Sequence, residues 1–319
     1  MAPLNAASFS PLVNVYELSD SINWETYFVE NPSGLLDVEI GFGLGETLIR
    51  MAQSEPQRNF VGIEQNWERI CKTLRQIEIL GEKKSESHLN NIRILKVDAR
   101  LAFERFFKAQ SIDRILSLFP CPWPKAKHVK HRLFFQKFFR LLNNRLKSNG
   151  QIKIVTDHGL FFEWILEEVK GTGFAVQTQS VTSQYDTKFE RKWVGSGKSR
   201  FFELQAIKKD HWDIPVVENV EMKSYLVDNF NPADFKFDPV TTKDCSVILK
   251  EMIYDSLKKK ALLHFVVQED YLTQHFWAMI VKQGDRWRIC KSDGQTVFQT
   301  PGTALALELL CEKLKHTVR

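Results

Sequence analysis

A chain of 319 residues, 43% hydrophobic and 26% charged, has the composition of a folded protein with one large core or two ordinary ones, not of a disordered chain. It has no run of eighteen apolar residues and no basic stretch at its start, so neither a membrane span nor a secretory leader is expected and the cytoplasm is the expected compartment. The five cysteines (Cys71, Cys121, Cys245, Cys290 and Cys311) are scattered and never spaced as CxxC, which predicts reduced thiols, no disulfide framework and no metal site.

The net charge of +5 is unevenly placed. Residues 1–209 hold 30 Lys and Arg against 23 Asp and Glu, and residues 210–319 hold 14 against 16. Between Asp113 and Asp157 there are ten basic residues and no acidic one, interleaved with aromatics. A one-sign run of that kind predicts a polyanionic partner.

Residues 1–33 form short pieces without clear period and end in the turn signal Asn31-Pro32-Ser33-Gly34. Strands are then predicted at 35–40, 59–64, 92–97, 112–118 and 151–156, and helices at 46–53, 67–80, 101–108 and 129–146. This alternation is that of an α/β domain, a mostly parallel sheet covered by helices on both faces. A helix at 160–170 precedes two strands, 174–179 and 201–207, suited to close the sheet as an antiparallel pair. Phe134, Phe135, Phe138 and Phe139 are read as the apolar face of their helix.

Near Lys208-Lys209-Asp210 the pattern changes. A helix at 243–257, strands at 262–268, 276–282 and 287–291 and a helix at 304–315 describe a small α+β domain. The expected organisation is therefore an N-terminal segment 1–33, a catalytic domain 34–209 and an accessory domain 210–319, the last open to a protein partner or to self-association.

The first strand runs LDVEIGFGLGE, with Gly41, Gly43 and Gly45 between strand and helix. Glycine serves where backbone turns sharply or approaches a ligand, so this turn fits a nucleotide-like ligand or a tight turn alone. Glu64 ends the next strand, where a carboxylate can take both hydroxyls of a ribose. Asp98 follows the third and reads equally as a helix N-cap or an adenine contact. Glu39, set among Leu36, Val38 and Ile40, needs a partner to be tolerated, and the ammonium of a methionine moiety is one. No Walker lysine follows the glycines, as suits an adenosyl ligand.

Further motifs then follow in order: FPCPWPK at 119–125 with the basic AKHVKHR after it, TD at 156–157 and TKFERK at 187–192. Together with EIGFGLGE at 39–46, they resemble the tRNA (guanine-N7)-methyltransferase family over about residues 34–208. The resemblance implies a class I (Rossmann-like) methyltransferase fold, S-adenosyl-L-methionine as cofactor and methyl transfer to N7 of a variable-loop guanosine in tRNA. It assigns Glu39, Gly41, Gly43, Gly45, Glu64 and Asp98 to the cofactor, and Lys125, Asp157, Thr187, Lys188, Phe189 and Glu190 to the substrate. The family motif reads FPDPWPK, and its aspartate is the catalytic position; here Cys121 stands there, beside the cofactor, with Asp157 as the carboxylate that could share the role. The family's basic N-terminal segment has no counterpart, since the first 49 residues contain no Lys or Arg. These departures leave a second reading, a catalytically weakened or inactive tRNA-binding protein.

Overall fold

The computed structural model describes residues 7–17, 21–83, 89–197, 200–214 and 220–316. The chain forms two compact units, Met1–Val217 and Glu218–Arg319.

In chain order the first unit contains β1 (Leu12–Val13), α1 (Trp24–Tyr27), β2 (Leu35–Ile40), α2 (Glu46–Ser54), β3 (Arg58–Glu64), α3 (Trp67–Lys83), β4 (Ile92–Lys96), α4 (Ala99–Arg105) and β5 (Ile112–Leu118). It continues with α5 (Gln136–Arg145), β6 (Leu146–Thr156), α6 (Gly159–Glu168), β7 (Phe174–Val181), α7 (Lys188–Gly195) and β8 (Phe201–Lys208). The eight strands form one sheet in the order β1-β4-β3-β2-β5-β6-β8-β7. Strands β1 to β6 pair in parallel, and β8 pairs antiparallel with both β6 and β7. The predicted class I methyltransferase sheet and its antiparallel closing pair are thus both present.

The central strands are buried on both faces, Val38, Ile40, Val61, Ile63 and Ile115 on one and Phe60, Ile92 and Ile94 on the other, because helices cover each side. The residues ahead of β2 take part as well. Leu12 pairs with Ile94, and Trp24 and Phe28 are buried, Trp24 stacking on Phe107. At the other end the unit runs on past β8. Asn143 accepts from the Trp212 N–H and donates to the Asp210 carbonyl, while the buried Lys208 ammonium reaches the carbonyls of Asn143 and Leu146.

The second unit contains β9 (Tyr225–Val227), β10 (Val240–Thr241), β11 (Cys245–Asp255), β12 (Lys260–Glu269), β13 (Leu272–Gln283), β14 (Arg286–Lys291) and α8 (Pro301–His316). Its sheet, in the order β10-β11-β12-β13-β14-β9, is antiparallel throughout. Val247, Leu263, Phe265, Phe276, Ile280 and Ile289 form its core with Leu307, Leu310 and Leu314 of α8.

The helix predicted at 243–257 is instead the strand β11. A bulge between Leu249 and Glu251 shifts the register, so the core-facing side chains run 245, 247, 249 and then 252, 254. The skipped residue broke the alternation that marks a strand and left a spacing that imitates a helix.

Candidate active site

Strands β2 and β5 are neighbours, yet β3 and β4 lie between them in sequence, so the strand order reverses at this point. Ligands of open α/β sheets bind at the carboxyl edge beside such a reversal. Along that edge the strand order sets Asp98 after β4, Glu64 at the end of β3, the glycine turn after β2, the Cys121 loop after β5 and Asp157 after β6.

Glu39 lies in β2 between Gly62 of β3 and Leu116 of β5. It is 4% exposed, and its Oε2 is buried without a hydrogen-bond partner within the described residues. Burial pushes its carboxyl up to about 8, an effect that the charge of Arg50 only partly opposes. Gly41 and Gly43 both hold positive φ, and a Cβ on either would meet nothing closer than 4.0 Å. The turn therefore opens onto free space there. Gly45 is different, since a Cβ would lie 2.3 Å from the Thr73 side chain, so this position serves the packing of α2 on α3.

Glu64 holds the turn in shape. Its Oε2 accepts from Gly43 N at 3.1 Å, and its Oε1 accepts from Gln65 N and Asn66 N, each at 2.9 Å. Asp98 is the N-cap of α4, accepting from Arg100 N at 2.8 Å, and it also takes a bond from Gln65 Nε2. The N-cap reading of Asp98 is thus realised, while Gln65 links it to the glycine turn through Glu64.

The 119–125 loop is held in an uncommon conformation. Phe119 and Trp123 have φ of 51° and 42°, a region that large side chains rarely occupy, and Cys121 stands between them with an exposed free thiol. Phe119 N bonds to the Val155 carbonyl at 2.7 Å, which ties the loop to β6. The Trp123 ring packs against His128 and His131.

Arg132 completes the loop from behind. Its Nε donates to the Pro122 carbonyl at 3.0 Å, and its guanidinium lies over the rings of Trp164 (4.8 Å) and Phe161 (5.4 Å). Not every cation of the basic run faces outward for a polyanion: Arg132 is buried, and Arg140 packs on Trp212 at 4.3 Å. Arg145 is buried too, and Arg114 is paired with Asp37 and Glu55. The exposed part of the run is Lys125, Lys127, Lys130 and Lys137, and its interior part serves the fold. The helix predicted at 129–146 likewise begins only at Gln136, after a tight 3-10 turn over 126–131. Of the four phenylalanines read as its apolar face, Phe138 and Phe139 lie on the helix and are buried, while the buried Phe134 and the half-buried Phe135 precede it.

Asp157 follows β6 and is half-buried. The N-cap of α6 is its neighbour His158, whose Nδ1 accepts from Phe161 N at 3.2 Å. In the TKFE stretch, Thr187 is the N-cap of α7, accepting from Glu190 N at 3.1 Å. Glu190 is fully buried and accepts from Gln184 N and Tyr185 N at 2.7 and 2.8 Å. Thr187 thus caps the helix, whereas the Glu190 side chain folds back onto the backbone ahead of the cap; Lys188 is exposed, and the Phe189 side chain lies outside the described residues. No helix is expected between the strands at 174–179 and 201–207, although a T-x-x-E spacing is a helix-start signature that could have predicted α7. Glu46, Arg50, Tyr185 and Glu203, which hold this segment, carried no such signal.

Among the described residues no three His, Cys, Asp or Glu side chains form a group that could hold a metal, and all five cysteines are free. No helix of those residues is long and apolar enough to cross a membrane.

The family model described as "Putative methyltransferase" matches residues 33–203. A tRNA (guanine-N(7)-)-methyltransferase of Chlorobium phaeobacteroides is 40% identical over 61% of this chain and 91% of its own length. The chain belongs to the tRNA (guanine-N7)-methyltransferase family. Relatives of the same name from Thermotoga maritima (24% identical, 95% of this chain and 98% of theirs) and Aquifex aeolicus (27%, 90% and 95%) align through the second unit as well. Within the family, a two-unit chain of this length therefore has counterparts.

Proposed function

We propose that this protein is the S-adenosylmethionine-dependent enzyme that methylates N7 of a variable-loop guanosine in tRNA, working in the cytoplasm. Glu39 carries the reading. Its buried, unpartnered Oε2 lies in the strand that leads into a glycine turn open at positions 41 and 43. An unpaired buried carboxylate is costly, and an ammonium is the group that relieves it, so the residues fit the methionine end of the cofactor. Glu39, Gly41 and Gly43 would hold that end, with Glu64 and Asp98 on the adenosine side. When bound, S-adenosylmethionine supplies a methyl group on a positively charged sulfur.

The guanine N7 atom carries an in-plane lone pair, so no residue has to remove a proton before transfer. The task of the protein is alignment, which in favourable cases supplies on the order of 7–11 kcal/mol. The Arg132-braced loop at 119–125 provides a fixed wall beside β6. A Cys121 thiol accepts hydrogen bonds poorly. The Asp157 carboxylate at the end of β6 offers an acceptor for guanine N1–H and the exocyclic amine, and it favours the positive charge that the methylated base carries. Lys125, Lys127 and Lys130 meet phosphates and position the RNA without reading its sequence. A scaffold that merely held tRNA would have no use for the strained carboxylate at Glu39, and this favours the enzyme over the inactive binder.

Incubation with unmodified tRNA and methyl-labelled cofactor tests the reading. The label is expected in 7-methylguanosine for the wild type and in none for Glu39→Ala. Label in another nucleoside, or undiminished label in Glu39→Ala, would refute it.

A further inference from the structure

Glu46 is the first residue of α2 and directly follows the glycine turn. Its Oε2 accepts from Lys188 N at 2.9 Å, and its Oε1 accepts from the Arg191 guanidinium. Lys188 N is the first of the N–H groups that α7 leaves without an intrahelical partner, so Glu46 caps a helix 142 residues away in sequence. One turn along the same face of α2, Arg50 donates to the Tyr185 carbonyl. Arg50 also acts on Glu39, whose carboxyl its charge partly stabilises.

Segment 184–191 therefore has two anchors. One is interior: Glu190 binds the backbone of Gln184 and Tyr185, and the Tyr185 hydroxyl donates to the buried Glu203 at 2.9 Å. The other consists of Glu46 and Arg50, and it fastens the segment to the helix that begins where the glycine turn ends. A shift of the turn must move α2, and with it the start of α7.

We propose that Glu46, with Arg191 as its partner, is a positioning residue that couples the methyl-donor site to the RNA site. This rests on the methyltransferase reading, in which the turn holds the donor and Lys188 meets RNA. Each ligand then orders the same clasp, so each strengthens binding of the other by one common factor.

The test is the dissociation constant of S-adenosylhomocysteine, an unreactive probe, with and without saturating unmodified tRNA transcript. In the wild type, tRNA tightens the probe by about fivefold or more. In Glu46→Ala and in Arg191→Ala the factor falls to near one, while Glu46→Gln, which keeps an acceptor for Lys188 N, retains part of it. Arg191 is half-exposed and outside the turn, so its variant separates coupling from a direct loss of probe contact or from misfolding. An equal factor in wild type and both alanine variants, or no tRNA effect in the wild type, would overturn the coupling alone. A wild type that binds neither probe nor tRNA would overturn the underlying reading and the coupling with it.

Discussion

Arg132 donates its Nε to the carbonyl of Pro122 at 3.0 Å, one residue from Cys121 and one from the left-handed Trp123. The strained loop is thus fastened by a buried cation held over two aromatic rings. A lysine cannot reproduce the planar fork that bonds the carbonyl while stacking on Trp164 and Phe161. Arg132→Lys is expected to lower kcat by about 10²-fold, the size of effect that follows a 1 Å misplacement, with little change in donor affinity. Steady-state kinetics beside donor titration check this, and an unchanged kcat would remove the clamp from the account.

Glu39 ties donor binding to pH. Its folded carboxyl titrates at about 8, above the ordinary 4.5, so its contribution to stability is fully present below 4.5 and is lost as pH rises toward 8. Without ligand, the wild type is expected to lose stability through that window, and Glu39→Gln to show a flatter profile. An ammonium favours the charged carboxylate, so donor binding at pH 7 should release close to one proton. Calorimetry in buffers of different ionisation enthalpy measures the release, which Glu39→Gln should abolish.

The four exposed lysines and the interior arginines of the same run separate by salt dependence. Replacing Lys125, Lys127 or Lys130 with alanine is expected to weaken tRNA binding and to reduce the salt slope by about one each. Arg140→Ala, which removes the packing on Trp212, should leave the slope unchanged. Binding isotherms over a range of salt concentrations distinguish the two groups.

The sequence disclosed the edge of the first sheet well, because strand ends there carry residues that are anomalous for a core: Glu39 amid aliphatics, and glycines clustered at one turn. It did not disclose which cations are interior. Lys130 and Arg132 are two residues apart in one basic stretch, yet one is exposed and the other buried, a difference set by Phe161 and Trp164 of α6, far along the chain. Glu46 was equally silent, since its partners Lys188 and Arg191 come together with it only through tertiary folding. In the second unit, the bulge at Leu249 hid a strand from a reading that depends on unbroken alternation.

Cys121 at the family's aspartate position is the central question, and mapping 7-methylguanosine in tRNA treated with the wild type and with Cys121→Asp addresses it most directly. A preorganised electrostatic contact is worth roughly 10²–10³ in rate, so the wild type should methylate slowly but at the same nucleotide, and the variant faster by about that factor. If the wild type forms no 7-methylguanosine while still binding tRNA and the donor, the protein is not the enzyme described here.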